Sequence, residues 1–115
     1  MSQAECIFCK IIDGSLPSTK VYEDDQSLAF LDANPKAPVH FLVIPKQHIE
    51  SLPSTTSESE VLLGHLLGVA REVAKKKGIS ETGYKIIQNV GQDGGQVVPH
   101  LHFHILGGRQ VTGAV

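Results

Sequence analysis

The sequence predicts an α+β fold: an antiparallel β-meander sheet with one long helix on a face and a short N-terminal helix. Three observations carry this expectation. Val39 to Ile44 is a near-continuous apolar, β-branched run suited to a central strand. Leu62, Leu63, Leu66, Leu67, Ala70, Val73 and Ala74 recur at helical spacing and define one long amphipathic helix. Near the C-terminus, His100, His102 and His104 alternate with Leu101, Phe103 and Ile105, and a strand sends such alternating side chains to opposite faces. The length of 115 residues leaves room for one hydrophobic core, so a single domain over 1–115 is expected.

Phe8, Ile11 and Ile12 share one face of the short helix, which Gly14 closes, and Pro17 forces a turn after it. Lys20 to Glu23 and Ser27 to Leu31 read as strands joined by the polar turn Asp24-Asp25-Gln26, and Pro45 ends the central strand. Ser57 followed three residues later by Glu60 forms a capping-box pattern for the long helix. At its far end Lys75 to Lys77 suit the negative pole of the dipole, and Gly78 suits the C′ position. Tyr84 to Val90 and His100 to Leu106 are the last two expected strands, joined by the glycine-rich loop Gly91 to Gln96. Gly64 and Gly68 each cost on the order of 1 kcal/mol in a helix relative to alanine, which points to another backbone close by, as in a homodimer. His65 lies away from the main apolar stripe and is expected to be a solvated surface residue.

Composition excludes several classes of function. Hydrophobic residues make up 41% and charged residues 19%, a balance that folds rather than stays disordered. Net charge is -2 and the one basic cluster, Lys75-Lys76-Lys77, is short, so neither nucleic acid nor an anionic membrane is an expected partner. No apolar run is long enough to span a bilayer, and Met1-Ser2-Gln3-Ala4-Glu5 lacks the segments of a signal peptide, so a cytoplasmic location is expected.

The chemistry concentrates in the histidines. Imidazole titrates near neutrality, so three on one strand face suit proton transfer, attack on an electrophile or metal binding. Cys6 and Cys9, the two cysteines of the chain, stand in C-x-x-C spacing. In a reducing compartment that pair reads as metal or redox chemistry before a structural disulfide, or as free thiols at the start of a helix. The loop from Gly91 to Gln96 either connects two strands or presents backbone N–H groups to a phosphate; beside three histidines the second reading gains weight.

The pattern His-φ-His-φ-His-φ-φ at His100 to Leu106, where φ is apolar, resembles the signature of the histidine-triad superfamily. Its nucleotide-binding Hint branch is similar over nearly the whole chain. The resemblance is carried by Ile7 to Ile12, Tyr22 to Asp25, Ala37 to Ile49 and Gly107-Gly108-Arg109, in the same order and spacing.

This resemblance implies a HIT-like fold, a homodimer, and hydrolysis or nucleotidyl transfer on purine nucleoside 5′-phosphoramidates through a covalent nucleotidyl-histidine. His102 would attack, His104 would donate a proton or stabilise the phosphoryl oxygens, and His100 and His40 would complete the cluster. Asp32 would hold the ribose hydroxyls, with Phe8, Ile11, Phe30 and Ala33 walling the base and Asn89 and Gly95 near the phosphate. Val97 stands where many Hint proteins carry a serine, and the tail from Val111 to Val115 lacks an aromatic residue that some relatives have. Bacterial members with the same C-x-x-C bind structural zinc, which would place Cys6, Cys9, His48 and His100 around one ion; no organic cofactor is implied. Rival functions are dinucleoside polyphosphate hydrolysis and non-enzymatic nucleotide binding or regulation.

Overall fold

The computed structural model describes residues 5–113; the segment before Glu5 and the last two residues of the tail lie outside them. The elements follow in the order α1 (Ile7–Asp13), β1 (Lys20–Glu23), β2 (Ser27–Leu31), β3 (Val39–Pro45), α2 (Glu60–Lys76), β4 (Tyr84–Ile87) and β5 (Phe103–Gly107). Short 3₁₀ turns, Leu52–Ser54 and Ser57–Ser59, lead into α2.

The five strands form one antiparallel sheet in the order β1-β2-β3-β5-β4. The meander therefore runs through β1, β2 and β3, after which β5 lies beside β3 and β4 forms the edge. Register sorts the side chains by face. Phe41 pairs with Ile105 and Val43 with Phe103, and these pack with Leu66, Val69, Ala70, Val73 and Ala74 of α2. Each such fully buried aliphatic side chain contributes roughly 1.5–3 kcal/mol relative to exposure. Leu28, Phe30, Leu42 and Ile44 face the other way and pack with Cys6 and Phe8, so α1 covers part of the second face.

Helix ends follow local chemistry. The capping box forms at Thr56 and Ser59 rather than Ser57 and Glu60, because a 3₁₀ turn intervenes and α2 begins at Glu60. Gly78 takes a left-handed φ of +75°, and the N–H groups of Gly78 and Ile79 close the helix on the carbonyls of Lys75 and Ala74.

The last two strands are shorter than expected. β5 starts at Phe103 because the preceding backbone bonds elsewhere: Leu101 N–H donates to the Ile49 carbonyl at 2.7 Å and His100 N–H to the Val98 carbonyl at 2.8 Å. The alternation of faces nevertheless extends back to His100, since Leu101 joins the core under α2. β4 ends at Ile87, short of Val90.

His65 corrects another expectation. Its Nε2 lies 2.7 Å from Asp24 Oδ2 and pins α2 to the β1–β2 turn, instead of extending into solvent. A Cβ built on Gly64 would meet nothing within 4 Å, so among the described residues no backbone approaches there. Among the described residues no helix is long and apolar enough to cross a membrane.

Candidate active site

The open part of the sheet face beside α1 is a cavity of about 710 Å³. Phe8, Ile11, Phe30, Asp32, Ala33, Asn89, Gly95, Val97, His102 and His104 all line it, so the structure brings together the residues that the sequence singled out. Its deep wall is aromatic: Phe8 stands edge-on to Phe30 at 5.6 Å and to His102 at 5.1 Å between ring centroids. Those apolar residues are also the core beneath α1. Val97, 89% exposed at the rim, offers the cavity no side-chain hydrogen-bond donor.

His102 is 6% exposed, not the surface-facing imidazole that alternation on a half-exposed strand implies, because α1 brings Phe8 against it. Its Nδ1 lies 2.7 Å from the carbonyl oxygen of His100. A carbonyl only accepts, so Nδ1 carries the proton and Nε2 keeps a free lone pair. Burial pushes the His102 ring below the usual imidazole range, which preserves that neutral form.

His104 and His40 form a second unit. His40 Nδ1 accepts the backbone N–H of Lys36 at 3.1 Å, so the ring proton of neutral His40 sits on Nε2. That N–H points at His104 Nδ1, 3.0 Å away, with Asp32 Oδ2 at 3.4 Å. His104 then carries its own proton on Nε2. Burial, followed by the nearby His102 and His40, pushes His104 down to about 4, and burial lowers His40 as well. Asp32, His40 and His104 lie close enough together to suggest a metal site, yet a protonated Nε2 on His40 is not a ligand. The cluster is a hydrogen-bonded chain.

Cys6, Cys9, His48 and His100 form a separate group whose ligand atoms all lie within 4.8 Å of one another. Cys6 Sγ is 3.3 Å from His100 Nδ1, Cys9 Sγ 3.6 Å from the same atom, and Cys9 Sγ 3.3 Å from His48 Nδ1. Tetrahedral zinc with sulfur near 2.3 Å and nitrogen near 2.0–2.1 Å sets such atoms roughly 3.5 Å apart, so the donor set fits. His100 is fully buried and donates Nε2–H to the Pro45 carbonyl at 2.8 Å, which turns the lone pair of Nδ1 toward the sulfurs. Burial drives His100 down to about 4 and, with Cys6 beside it, pushes the Cys9 thiol up to about 11. Neutral imidazole is the form a metal needs; the thiol requires the cation to displace its proton.

The glycine-rich loop behaves differently from an open anion cradle. The N–H groups of Gly91, Gly95 and Gln96 bond within the loop, to Gln96 Oε1, the Gln92 carbonyl and the Gly91 carbonyl. Asn89 Nδ2 donates to the Gly94 carbonyl at 2.7 Å and braces the loop from the cavity wall. Gln96, which the sequence marks only as the loop's end, clamps it: Oε1 accepts from Ser51 and Gly91, while Nε2 donates to the carbonyls of Glu50 and Val98. Gly94 is required sterically, since a Cβ there would collide with the Val90 carbonyl.

The profile of the HIT domain family matches residues 13–111. The chain belongs to the HIT family. It is 51% identical to an uncharacterized HIT-like protein of Synechococcus elongatus, over 94% of each chain. Its fold is similar to that of a histidine triad protein from Clostridium difficile, with a TM-score of 0.94 and 49% identity over the full length of both chains. A HIT family hydrolase from Legionella pneumophila follows at a TM-score of 0.91 and 46% identity, with 94% of this chain and 96% of that one covered. A histidine triad nucleotide-binding protein from Candida albicans shares a TM-score of 0.80 and 35% identity, over 96% of this chain and 86% of that one.

Proposed function

We propose that this HIT protein is a Hint-like hydrolase of purine nucleoside 5′-phosphoramidates that works through a nucleotidyl-His102 intermediate. The observation that carries the reading is the bond from His102 Nδ1–H to the His100 carbonyl, which leaves a neutral, nucleophilic Nε2 at the wall of a nucleoside-sized cavity. A hydrolase and a nucleotide-binding protein among its structural relatives support the class.

The nucleoside fills the cavity with its base against Phe8, Ile11, Phe30 and Ala33 and its ribose hydroxyls at Asp32. His102 Nε2 bonds to phosphorus as the phosphorus–nitrogen bond breaks. The bonding pair stays on nitrogen, which has taken a proton from solvent and leaves as a neutral amine. His104, neutral and protonated on Nε2, donates to a phosphoryl oxygen as charge develops there. Water then attacks phosphorus, His102 departs, and the water's proton returns to solvent.

Zinc at Cys6, Cys9, His48 and His100 is part of the same proposal. When bound, it supplies a structural cross-link and no reactive centre. His100 would join the start of α1 to the segment before β5, and its own carbonyl holds the nucleophile. A homodimer across α2, where Val61 and Leu67 are exposed beside Gly64 and Gly68, completes the reading.

Mixing the protein with adenosine 5′-phosphoramidate under alkaline quench, which preserves phosphorus–nitrogen bonds, tests it. The expected result is release of ammonia and nucleoside monophosphate, with one nucleotidyl group transiently on His102 by mass spectrometry. Faster turnover of a dinucleoside polyphosphate would instead assign the chain to that hydrolase class, and binding without turnover would make it a non-enzymatic nucleotide receptor.

A further inference from the structure

Cys6 and Cys9 stand behind the wall of the nucleoside-sized cavity. Phe8, between them in the chain, is edge-on to His100 at 5.8 Å and to His102 at 5.1 Å, so one ring separates the sulfurs' imidazole partner from the cavity histidine. Phe8 and Ile11 of α1 both line that cavity. The helix that carries them has seven residues, and a helix so short is marginal in water unless its ends are tied down. Its N-terminal ties are the two sulfurs, 3.3–3.6 Å from the Nδ1 atoms of His48 and His100.

The same sulfurs are placed to react with each other. Both belong to a donor set whose atoms all lie within 4.8 Å of one another, and Cys6 Sγ already turns to the Cys9 N–H at 3.4 Å. Cysteines three apart across a first helical turn have Cα atoms roughly 5 Å apart, inside the range of about 4.4–6.8 Å that a disulfide spans. Access is graded: Cys9 is half-buried and open to a small solute, whereas Cys6 is fully buried behind it. Neither sulfur takes part in the proposed hydrolysis. In a reducing compartment, cysteine pairs that do oxidise are typically transient and redox-sensing.

We propose that Cys6 and Cys9 are a redox modification site: a hydroperoxide oxidises them to a disulfide, which breaks up the Cys/His cluster and loosens the α1 wall of the nucleotide cavity. The Cys9 sulfur bonds to one peroxide oxygen as the oxygen–oxygen bond breaks, and the far oxygen leaves with the Cys9 thiol proton. The Cys6 sulfur then displaces hydroxide from the Cys9 sulfenic acid, and that hydroxide takes the Cys6 proton to leave as water. Two electrons pass from the sulfurs to the peroxide oxygens. Where zinc holds the pair as thiolates, solvent supplies the same two protons and the oxidation removes two of the four donors. The disulfide withdraws both sulfurs from His48 and His100, and α1 is then held by the packing of Phe8, Ile11 and Ile12 alone.

The test treats the intact chain, purified under reductant and loaded with zinc, with a small excess of hydrogen peroxide. The mass per chain is expected to fall by about 2 Da, the two thiol hydrogens, as zinc is released to a colorimetric chelator. The Kd for adenosine 5′-monophosphate, read by calorimetry, should rise roughly threefold to tenfold, as when the competent arrangement falls to about a third to a tenth of the molecules. A dithiol with added zinc should restore both mass and affinity. In Cys6→Ser and Cys9→Ser, peroxide should leave the affinity of each variant where it was, a comparison internal to that variant. Two thiols that persist, or a gain of oxygen in place of the loss of two hydrogens, overturns the site. A disulfide that forms with unchanged affinity overturns its coupling to the cavity. No nucleotide binding by the reduced protein overturns that coupling together with the nucleotide reading. Disulfide formation and nucleotide affinity are both measured without turnover, so a full peroxide response in a protein that hydrolyses no phosphoramidate supports this site and overturns the phosphoramidase reading alone.

Discussion

His102 donates its Nδ1–H to the backbone carbonyl of His100 at 2.7 Å. The tautomer of His102 is thus set by the main chain of a residue whose own ring is held elsewhere. His102→Ala is expected to lower turnover by roughly 10⁴-fold or more, the scale seen when a nucleophile acting as part of a unit is removed. His104→Ala removes the proposed donor to the phosphoryl group and should cost roughly 10²–10³-fold in kcat. Single-turnover rates of both variants decide the assignment; comparable losses would mean that the two rings act as one unit. Because His102 is buried against Phe8, its variant should also melt earlier than the parent.

Asp32 gives a test of nucleotide selection. Its carboxylate reaches the cavity while Oδ1 accepts the Asn34 N–H at 2.8 Å, so the side chain is held ready rather than mobile. Asp32→Ala should weaken ribonucleotide binding by roughly tenfold or more and affect the 2′-deoxy nucleotide much less, as measured by calorimetry. Equal weakening for both sugars would remove Asp32 from the ribose contact.

Most of the fold was legible because its signals are local. The run from Val39, the period of α2 and the glycines at Gly14 and Gly78 each fix an element without help from elsewhere. The order of the last two strands was not, since nothing in Tyr84 to Ile87 says which neighbour it takes. The site divides along the same line. Side chains that act by chemical type, His102, His104, Asp32 and the Cys/His set, stand out as residues. Contributions from the backbone do not: any residue but proline at Lys36 would offer the N–H that fixes His40, and any residue at Pro45 the carbonyl that orients His100. His65 escaped for another reason, as its partner Asp24 lies 41 residues away and the helical pattern alone shows only an outward face.

Val97→Ser places a hydroxyl at the rim, where the side chain is 89% exposed. Stability should change by less than about 0.5 kcal/mol, as is usual for exposed positions. Turnover should rise if a donor near the scissile bond limits the parent enzyme. Steady-state kinetics with unchanged kcat would show that His104 already supplies the donor that matters.

Asp24 predicts an acid limb of stability. Burial opposes its ionisation, but hydrogen bonds from Tyr22, the Gln26 backbone, His65 and Ser27 together hold the carboxyl well below its ordinary value of 3.8. A carboxyl depressed in the folded state contributes stability that is present above pH 3.8 and is lost as pH falls below it. His104 acts at higher pH: between 6.5 and about 4 the unfolded chain binds a proton that the folded ring refuses, so stability again falls with pH. Denaturant midpoints should therefore decline in two steps on acidification. Asp24→Asn should flatten the lower step, and His65→Ala should cost about 1 kcal/mol at neutral pH.

Zinc at Cys6, Cys9, His48 and His100 makes the last prediction. The protein as isolated should hold about one zinc per chain, with absorption spectroscopy giving sulfur near 2.3 Å and nitrogen near 2.0–2.1 Å. Cys6 caps α1 by accepting the Cys9 N–H on its sulfur at 3.4 Å, so the ligands and the start of that helix are one structure. Chelation is expected to lower Tm and to speed amide hydrogen exchange in Ile7–Asp13, while Leu66 to Ala74 stay protected in the core on the opposite face of the sheet. Cys9→Ser should reproduce that pattern without a chelator. A protein that holds no zinc after addition, with unchanged Tm and both thiols open to alkylation, would leave Cys6 and Cys9 as packing residues and His100 as a buried brace whose carbonyl holds His102.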